Sequence, residues 1–217
     1  MKKRELPAYY PVFLNISGRE CVVVGGGQVA FRKVKVLLEH GAVVEVVSPN
    51  VCPELNQLAE SGQIRVLQRS YRVGDLQDVV IAIAATDDSN TNLEVVKEAR
   101  RKAILVNVVD DAENSDFIAP SYMRRGDVTI AVSTGGRSPA LARKIRTRLE
   151  KDFGDEYASL AVLLDEVRAE VKRQGIKVNS DAWQETLDLG LLSDLVAKGN
   201  SEEAKVILLS NLKTRQG

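Results

Sequence analysis

Three stretches of the chain carry side-chain types and spacings suited to binding or reaction. The first is VVVGGGQVAFRK, residues 22–33, where Gly25-x-Gly27-x-x-Ala30 falls between an apolar run and a patterned helix. Glycine at the first position allows a tight turn. At the second it lets backbone approach a pyrophosphate, and a small third residue lets helix and strand pack closely. The helix start then offers free N–H groups and a positive dipole end to phosphates. The second stretch is the pair AIAATDD (82–88) and VNVVDDA (106–112), each closing an apolar run of strand length. Carboxyl ends of strands face the ligand in open α/β sheets. Thr86, Asn107 and Val109 are therefore candidates on the cofactor side, and Asp110 is a candidate base. An aspartate is a weak base, with an ordinary pKa of about 3.9, and needs burial or a carboxylate neighbour such as Asp111 to act near neutrality. The other reading of Asp110 is a loop acid that caps a turn. The third stretch is STGGRSPALARKIRTRLEK (133–151). Thr134, Gly135, Gly136 and Arg137 lead into Ser138-Pro139, an N-cap and N1 pair, so the glycine turn and helix start form a second anion site. Arg143 and Arg146 come next, as a grip for a polyanion or simply as a solvated face.

The dinucleotide motif lacks one expected part. An acid that holds a ribose should end the second strand, yet that stretch reads Val47-Ser48-Pro49-Asn50, with Glu45 inside the strand. Ser48 or Asn50 can bond a ribose hydroxyl without a carboxylate's selectivity, and no Arg follows for a 2′-phosphate. The choice between NAD and NADP stays open, leaning to NAD. One histidine and two distant cysteines, Cys21 and Cys52, leave no set of ligands for a zinc site and no Ser-His-Asp triad without His40. No metal-binding residues are expected. His40, in LLEHGA, reads as the last turn of a helix.

The elements that must position these residues can be read from periodicity. Residues 20–24 form a buried strand. Ala30, Val34, Leu37 and Leu38 place one apolar face on a helix over 28–39, with Arg32, Lys33, Lys35 and Glu39 as its charged filling, ended by Gly41. Strands are expected at 43–47, 64–67, 79–85 and 104–109, and helices at 53–61 and 90–102. That alternation predicts an α/β fold with a Rossmann-like, doubly wound parallel sheet. Two strands, 117–120 and 128–133, and a helix from Ser138 come after it. Beyond residue 155 the pattern is helical, with further helices at 181–190 and 202–213. The expected division is a dinucleotide-binding domain (1–113), a small mixed segment (114–152) and a helical tail domain (153–217).

Composition bounds the rest. The chain has 217 residues, 44% apolar and 28% charged, with 30 basic against 30 acidic side chains. That is globular composition with no overall bias toward nucleic acid or membrane surfaces. The longest fully apolar run, 79–85, is far below the roughly 18 residues of a membrane span. No leader is expected, and a reduced, cytoplasmic protein is the simplest reading of the cysteines, although a single disulfide stays open. The zero net charge is a cancellation. Residues 121–151 carry eight bases and two acids, whereas 75–116 carry ten acids and four bases.

Together and in this order, VVVGGGQVAFRKVKVLLEHGA, AIAATDD, NVVDDAENSDFIAPS and AVSTGGRSPALARKIR resemble precorrin-2 dehydrogenase, the N-terminal module of siroheme synthase. The resemblance runs through about the first 150 residues; the helical remainder is similar in pattern more than in letters. It implies NAD-dependent oxidation of precorrin-2 to sirohydrochlorin and, in many members, insertion of Fe²⁺ as a substrate to give siroheme. It places the family's essential aspartate on Asp110 and its cofactor contacts on Gln28, Val29, Pro49 and Asn50. The family serine that is phosphorylated in some members falls on Thr134, which keeps a hydroxyl but departs in residue type. The resemblance further implies a homodimer, with the middle segment building the contact and the tail covering the substrate. The methyltransferase module of fused versions is expected to be absent from 217 residues. A basic segment at 121–151 suits a carboxylate-rich tetrapyrrole. Other readings are a dehydrogenase without chelatase activity, a non-catalytic NAD-sensing module, and a dehydrogenase of a small substrate.

Overall fold

A computed structural model describes residues 8–215 of the chain. The strands are β1 (Glu20–Val24), β2 (Val43–Val47), β3 (Ile64–Leu67), β4 (Ile81–Ala84), β5 (Leu105–Val108), β6 (Ser121–Arg125) and β7 (Val128–Val132). The helices are α1 (Gln28–Glu39), α2 (Pro53–Glu60), α3 (Ser89–Arg101), α4 (Pro139–Asp152), α5 (Glu156–Arg173), α6 (Ser180–Thr186), α7 (Leu189–Ala197) and α8 (Ser201–Thr214). The first five strands are parallel, in the order β3-β2-β1-β4-β5. This is the expected doubly wound sheet.

Alternation along each strand divides the sheet's side chains between two cores. Val22, Val24, Ala82, Ala84, Val106 and Val108 face the side covered by α3, through Val95, Val96 and Ala99. Cys21, Val23, Val44, Val46, Ile81 and Ile83 face the side covered by α1 and α2, through Ala30, Val34, Leu37 and Leu55. Strands buried on both faces read as continuous apolar runs, as β1 and β4 do. Each fully buried Val or Leu contributes about 1.5–3 kcal/mol. Both cysteines are free thiols, and burial pushes the Cys21 thiol up to about 11.

The chain divides into two compact units, residues 1–119 and 120–217. In the second, β6 and β7 form an antiparallel hairpin against which α4 packs. Helices α5 to α8 share a separate core built on Leu160, Val167, Leu192, Leu208 and Leu212. No helix among the described residues is long and apolar enough to cross a membrane.

Two expectations need correction. The strand expected at 117–120 lies instead at Ser121–Arg125. Residues before it are tied to β5 by one backbone bond, Asp116 N–H to the Val106 carbonyl (2.8 Å), and by side chains: Val106 N–H donates to the Asp116 carboxylate (3.1 Å), and Val108 N–H to the Ser115 hydroxyl (2.9 Å). The helix expected at 181–190 is two helices, α6 and α7. Asp188 sits between them and caps the second, accepting from Leu191 N–H at 3.0 Å.

Candidate active site

The register of the sheet aligns the strand ends. Val24 pairs with Val47 on one side and Ala84 on the other, and Ala84 pairs with Val108. The residues directly after these four therefore lie along one edge: Gly25, Ser48, Ala85-Thr86 and Val109-Asp110. The topology thus brings the glycine turn and the acidic turn to the same sheet edge. The point where the strand order reverses, between β1 and β4, is where such sheets bind ligands.

The three glycines divide the labour of the turn. Gly25 has φ +129°, and a Cβ there would stand 2.3 Å from the Ala85 carbonyl oxygen. A Cβ on Gly26 would stand 1.9 Å from the Asn50 carbonyl oxygen, while one on Gly27 would meet nothing within 4 Å. Gly27 is the N-cap of α1 and supplies no capping side chain, and the first helical turn holds no acid. Phe31 N–H donates to the Gly27 carbonyl at 3.0 Å. The N–H groups of Gln28, Val29 and Ala30 are thereby left without an intrahelical acceptor. Open space, unpaired donors and a positive helix end fit the pyrophosphate of a dinucleotide. Gln28 donates to Glu54 at 2.8 Å, and this hydrogen bond holds the Glu54 carboxyl below its usual range.

The other candidates are less alike than their letters. Ser48 is buried, and its hydroxyl donates to the Asn50 carbonyl at 2.7 Å, so its donor is spent inside the turn. Pro49 and Asn50 are exposed beside it. Thr86 is spent on the cap of α3: its hydroxyl accepts from Asp88 N–H at 3.1 Å and lies 2.9 Å from the Asn92 side-chain oxygen. Asn107 is buried and donates to the Phe117 carbonyl at 3.0 Å. Val109 packs into the core shared with α1.

The two acids of the acidic turn have separate fates. Asp111 accepts from the N–H groups of Glu113 and Asn114 (both 3.2 Å) and from the Asn114 amide (2.7 Å). Asp110 is exposed with φ +60°, a left-handed conformation rare outside glycine. No hydrogen bond to its carboxylate occurs among the described residues.

In the second unit, Thr134 closes its own turn. Its hydroxyl donates to the Ser138 carbonyl and accepts from Ser138 N–H, both at 3.0 Å. Gly135 and Gly136 come next with φ +61° and +80°. Ser138 caps α4 through Leu141 N–H at 3.2 Å, as expected, and Arg137 is exposed. An open groove of about 630 Å³ lies along α4, lined by Arg143, Lys144, Arg148, Lys151 and Asp152. Arg146 is not among the lining residues and pairs with Glu150 at 3.0 Å. His40 ends α1, its Nδ1–H donating to the Val36 carbonyl at 2.7 Å. Among the described residues no cluster of three His, Cys, Asp or Glu side chains could hold a metal.

Two residues escape a reading by motif. Gly26 occupies the variable position of the glycine pattern, so no pattern demands it. Lys33 belongs by letter to the charged face of α1, yet it is half-buried, and burial pushes its ammonium below its ordinary value against the pull of Asp110. Its place three residues after Ala30 is the available signal.

Sheet, glycine turn and uncapped helix define a Rossmann-type dinucleotide-binding protein. The chain belongs to the family described as putative NAD(P)-binding, whose model matches residues 12–121. A second model, the central part of sirohaem biosynthesis proteins, matches residues 125–151. Siroheme synthase of Nitrosococcus oceani is 39% identical over 94% of this chain and 44% of its own length. Siroheme synthase of Chromobacterium violaceum is 40% identical over 91% and 42%. The chain thus spans less than half the length of these relatives. The solved structure of SirC, a precorrin-2 dehydrogenase, superposes with a TM-score of 0.68 at 28% identity, covering 95% of this chain and 100% of that one.

Proposed function

We propose that this chain is an NAD-dependent dehydrogenase that converts precorrin-2 to sirohydrochlorin. The observation that carries the reading is the likeness to SirC over that protein's whole length, with both this chain's units covered. The reaction removes two hydrogens from the tetrapyrrole, one as hydride and one as a proton. NAD, when bound, supplies the hydride acceptor. The glycine turn and the open N–H groups of Gln28, Val29 and Ala30 hold its pyrophosphate, with Pro49 and Asn50 beside the ribose. NAD is preferred to NADP because no cation at 47–50 greets a 2′-phosphate. Asp110 takes the proton. It is the acid at the sheet edge whose carboxylate is not committed to the turn, and the groove of α4 offers Arg143 to the acetate and propionate arms. Arg146, tied to Glu150, contributes less.

The name of the curated relatives supports a second step, insertion of Fe²⁺ as substrate into sirohydrochlorin. The pyrrole nitrogens are the final ligands, and Asp110 accepts their protons. We further propose a homodimer whose contact is built by residues 114–152, with the tail covering the substrate.

The test is anaerobic incubation of the purified chain with precorrin-2 and NAD⁺, following NADH and sirohydrochlorin by absorbance, then adding Fe²⁺. Asp110→Asn should bind NAD⁺ normally and form no sirohydrochlorin. Normal turnover by that variant removes Asp110 from the mechanism, and no NADH from the unsubstituted chain removes the reaction itself.

A further inference from the structure

We propose that Glu54 is the carboxylate that grips the adenine-side ribose and selects NAD over NADP, with Gln28 as its positioning residue; the proposal rests on the dinucleotide reading above. The chain has no acid directly after β2, where such a ribose is ordinarily held. The next element supplies one. Gln28, the first residue of α1, donates from its side-chain amide to the Glu54 carboxylate at 2.8 Å. Glu54 lies in the first turn of α2, 26 residues beyond Gln28. A dinucleotide motif places its acid about 20 residues beyond the glycines.

The glycine turn and the start of α2 are packed as one body. Cys52 N–H donates to the Gly26 carbonyl at 2.7 Å, and a Cβ on Gly26 would stand 1.9 Å from the Asn50 carbonyl oxygen. Leu55 is fully buried with Ala30, Val34 and Leu37 of α1, which sets the rotation of α2 and leaves Glu54 at the rim, half-buried. The carboxylate is thereby tethered to the residue that opens the pyrophosphate seat. As a bare charge it is out of place there, because it repels the anion that the helix start attracts. Among the described residues Glu54 forms no ion pair within 4 Å. It stays ionised: Gln28 first, then its own backbone and the Cys52 thiol, hold its carboxyl below the usual range. Ribose hydroxyls remove the conflict. They are donors, and a carboxylate accepts about four hydrogen bonds, so it can hold Gln28 and a hydroxyl together. A 2′-phosphate takes away a donor and brings a second anion to the carboxylate, so the charge that holds NAD turns NADP away. The residues after β2 offer no such charge: the Ser48 hydroxyl is bonded to Asn50, and Pro49 and Asn50 are neutral.

Titration calorimetry of the full chain with NAD⁺ and with NADP⁺ reads the assignment without turnover. The unsubstituted chain should bind NAD⁺ the more tightly. Glu54→Gln should weaken NAD⁺ about tenfold and leave NADP⁺ equal or tighter, narrowing the preference by about tenfold or more. The ratio of two affinities within one variant does not depend on how much of that variant is folded. Gln28→Ala, which frees the carboxylate without removing it, should narrow the preference about threefold. Glu60→Gln removes the same charge from the other end of α2 and should leave the ratio alone. NAD⁺ binding by the unsubstituted chain with an unchanged ratio in Glu54→Gln overturns the assignment and leaves the cofactor reading standing. A preference of the unsubstituted chain for NADP⁺ overturns it too, as does an equal shift in Glu60→Gln, which would mean a field of the helix instead of a contact. An unchanged ratio in Gln28→Ala removes Gln28 from the positioning role. No binding of either dinucleotide overturns the cofactor reading and the assignment together.

Discussion

Substituting Gly26 and Gly27 separately should split stability from ligand binding within one turn. A methyl on Gly26 would lie 1.9 Å from the Asn50 carbonyl oxygen and 2.7 Å from the Ser48 hydroxyl. Both belong to the turn after β2, so the backbone at 48–50 must retreat by more than about 1 Å to reach normal contact. Two hydrogen bonds depend on that turn's present place: Cys52 N–H to the Gly26 carbonyl and the Ser48 hydroxyl to the Asn50 carbonyl, both 2.7 Å. Overpacking of this kind costs about 1–3 kcal/mol, and weakening the two bonds about 1 kcal/mol more. For Gly26→Ala we expect a loss of about 2–4 kcal/mol, or a melting temperature lower by about 8–16 °C for a unit of this size. Gly27→Ala is the opposite case. Its φ is −85°, and its methyl would meet nothing within 4 Å. The melting temperature should fall by no more than about 4 °C, since alanine is a poorer N-cap than glycine by about 0.5–1 kcal/mol, a loss partly offset by the lower freedom of the unfolded chain. The methyl would, however, stand where backbone must approach a pyrophosphate, and NAD⁺ affinity should fall about tenfold or more. Thermal melts by circular dichroism and titration calorimetry with NAD⁺ read the two effects. If Gly26→Ala melts normally, or Gly27→Ala binds NAD⁺ normally, the division of labour among the glycines is wrong.

The remaining predictions concern charge. Tyr71→Phe removes the 2.5 Å hydrogen bond to Glu98, whose side chain is fully buried, also accepts from Gly74 N–H and forms an ion pair with Lys102. It should cost about 1.5–3 kcal/mol by urea denaturation. Burial pushes the Glu98 carboxyl up, but the Tyr71, Lys102 and Gly74 donors pull it below its usual value, and Arg69 does the same for Asp75. Groups depressed on folding stabilise above their unfolded values near pH 4 and lose that contribution as pH falls through the folded values. Stability measured from pH 6 to pH 2 should therefore drop below about pH 4, less steeply in Tyr71→Phe; a flat profile would contradict the assignment. On α4, Arg143→Ala with Arg148→Ala should weaken tetrapyrrole binding about tenfold at low ionic strength and less in salt, while Arg146→Ala should change it little. Equal effects from Arg143 and Arg146 would show that the groove is not the carboxylate grip.

Most of the sheet is legible in the sequence because its residues are buried on both faces and leave apolar runs that few other structures produce. The exceptions have local causes. Phe117-Ile118-Ala119 looks like a strand by composition, but the segment before it is bound to β5 by one backbone hydrogen bond, Asp116 N–H to the Val106 carbonyl, and by the Ser115 and Asp116 side chains, which is not a ladder. The true strand, SYMRR, buries only Met123 and so carries no readable alternation. The break between α6 and α7 is hidden because Leu187 and Leu189 keep an apolar pattern on either side of Asp188, a residue as common on a helix surface as at a cap. The candidate site divides the same way. The glycine turn and Asp110 are legible from type and position. Ser48, Thr86 and Asn107 are candidates by position alone, and the hydrogen bonds that occupy their polar groups come from the Asn50 turn, the start of α3 and Phe117. Period alone cannot reveal such partners.

Adjacent acids at 110 and 111 show how backbone decides which carboxylate is free for chemistry. Two like charges on neighbouring residues would ordinarily compete for the same surroundings. Here the Asp111 N–H turns back to the Val108 carbonyl at 3.2 Å, and its side chain collects the N–H groups of the turn it starts. That closure requires the preceding residue to adopt positive φ, which aspartate tolerates better than most side chains other than glycine. Glycine at 110 would relieve the strain but remove the carboxylate; a β-branched residue would resist the turn. Aspartate alone among the acids combines tolerance of this conformation with a short side chain held close to the strand end, since glutamate would carry its carboxylate one methylene further out. The strain at 110 is thus the structural consequence of anchoring Asp111, and its product is an acid at the ligand-facing edge with no role in holding its own loop. Removing the Asp110 charge should then leave the turn standing, which separates loss of chemistry from loss of fold.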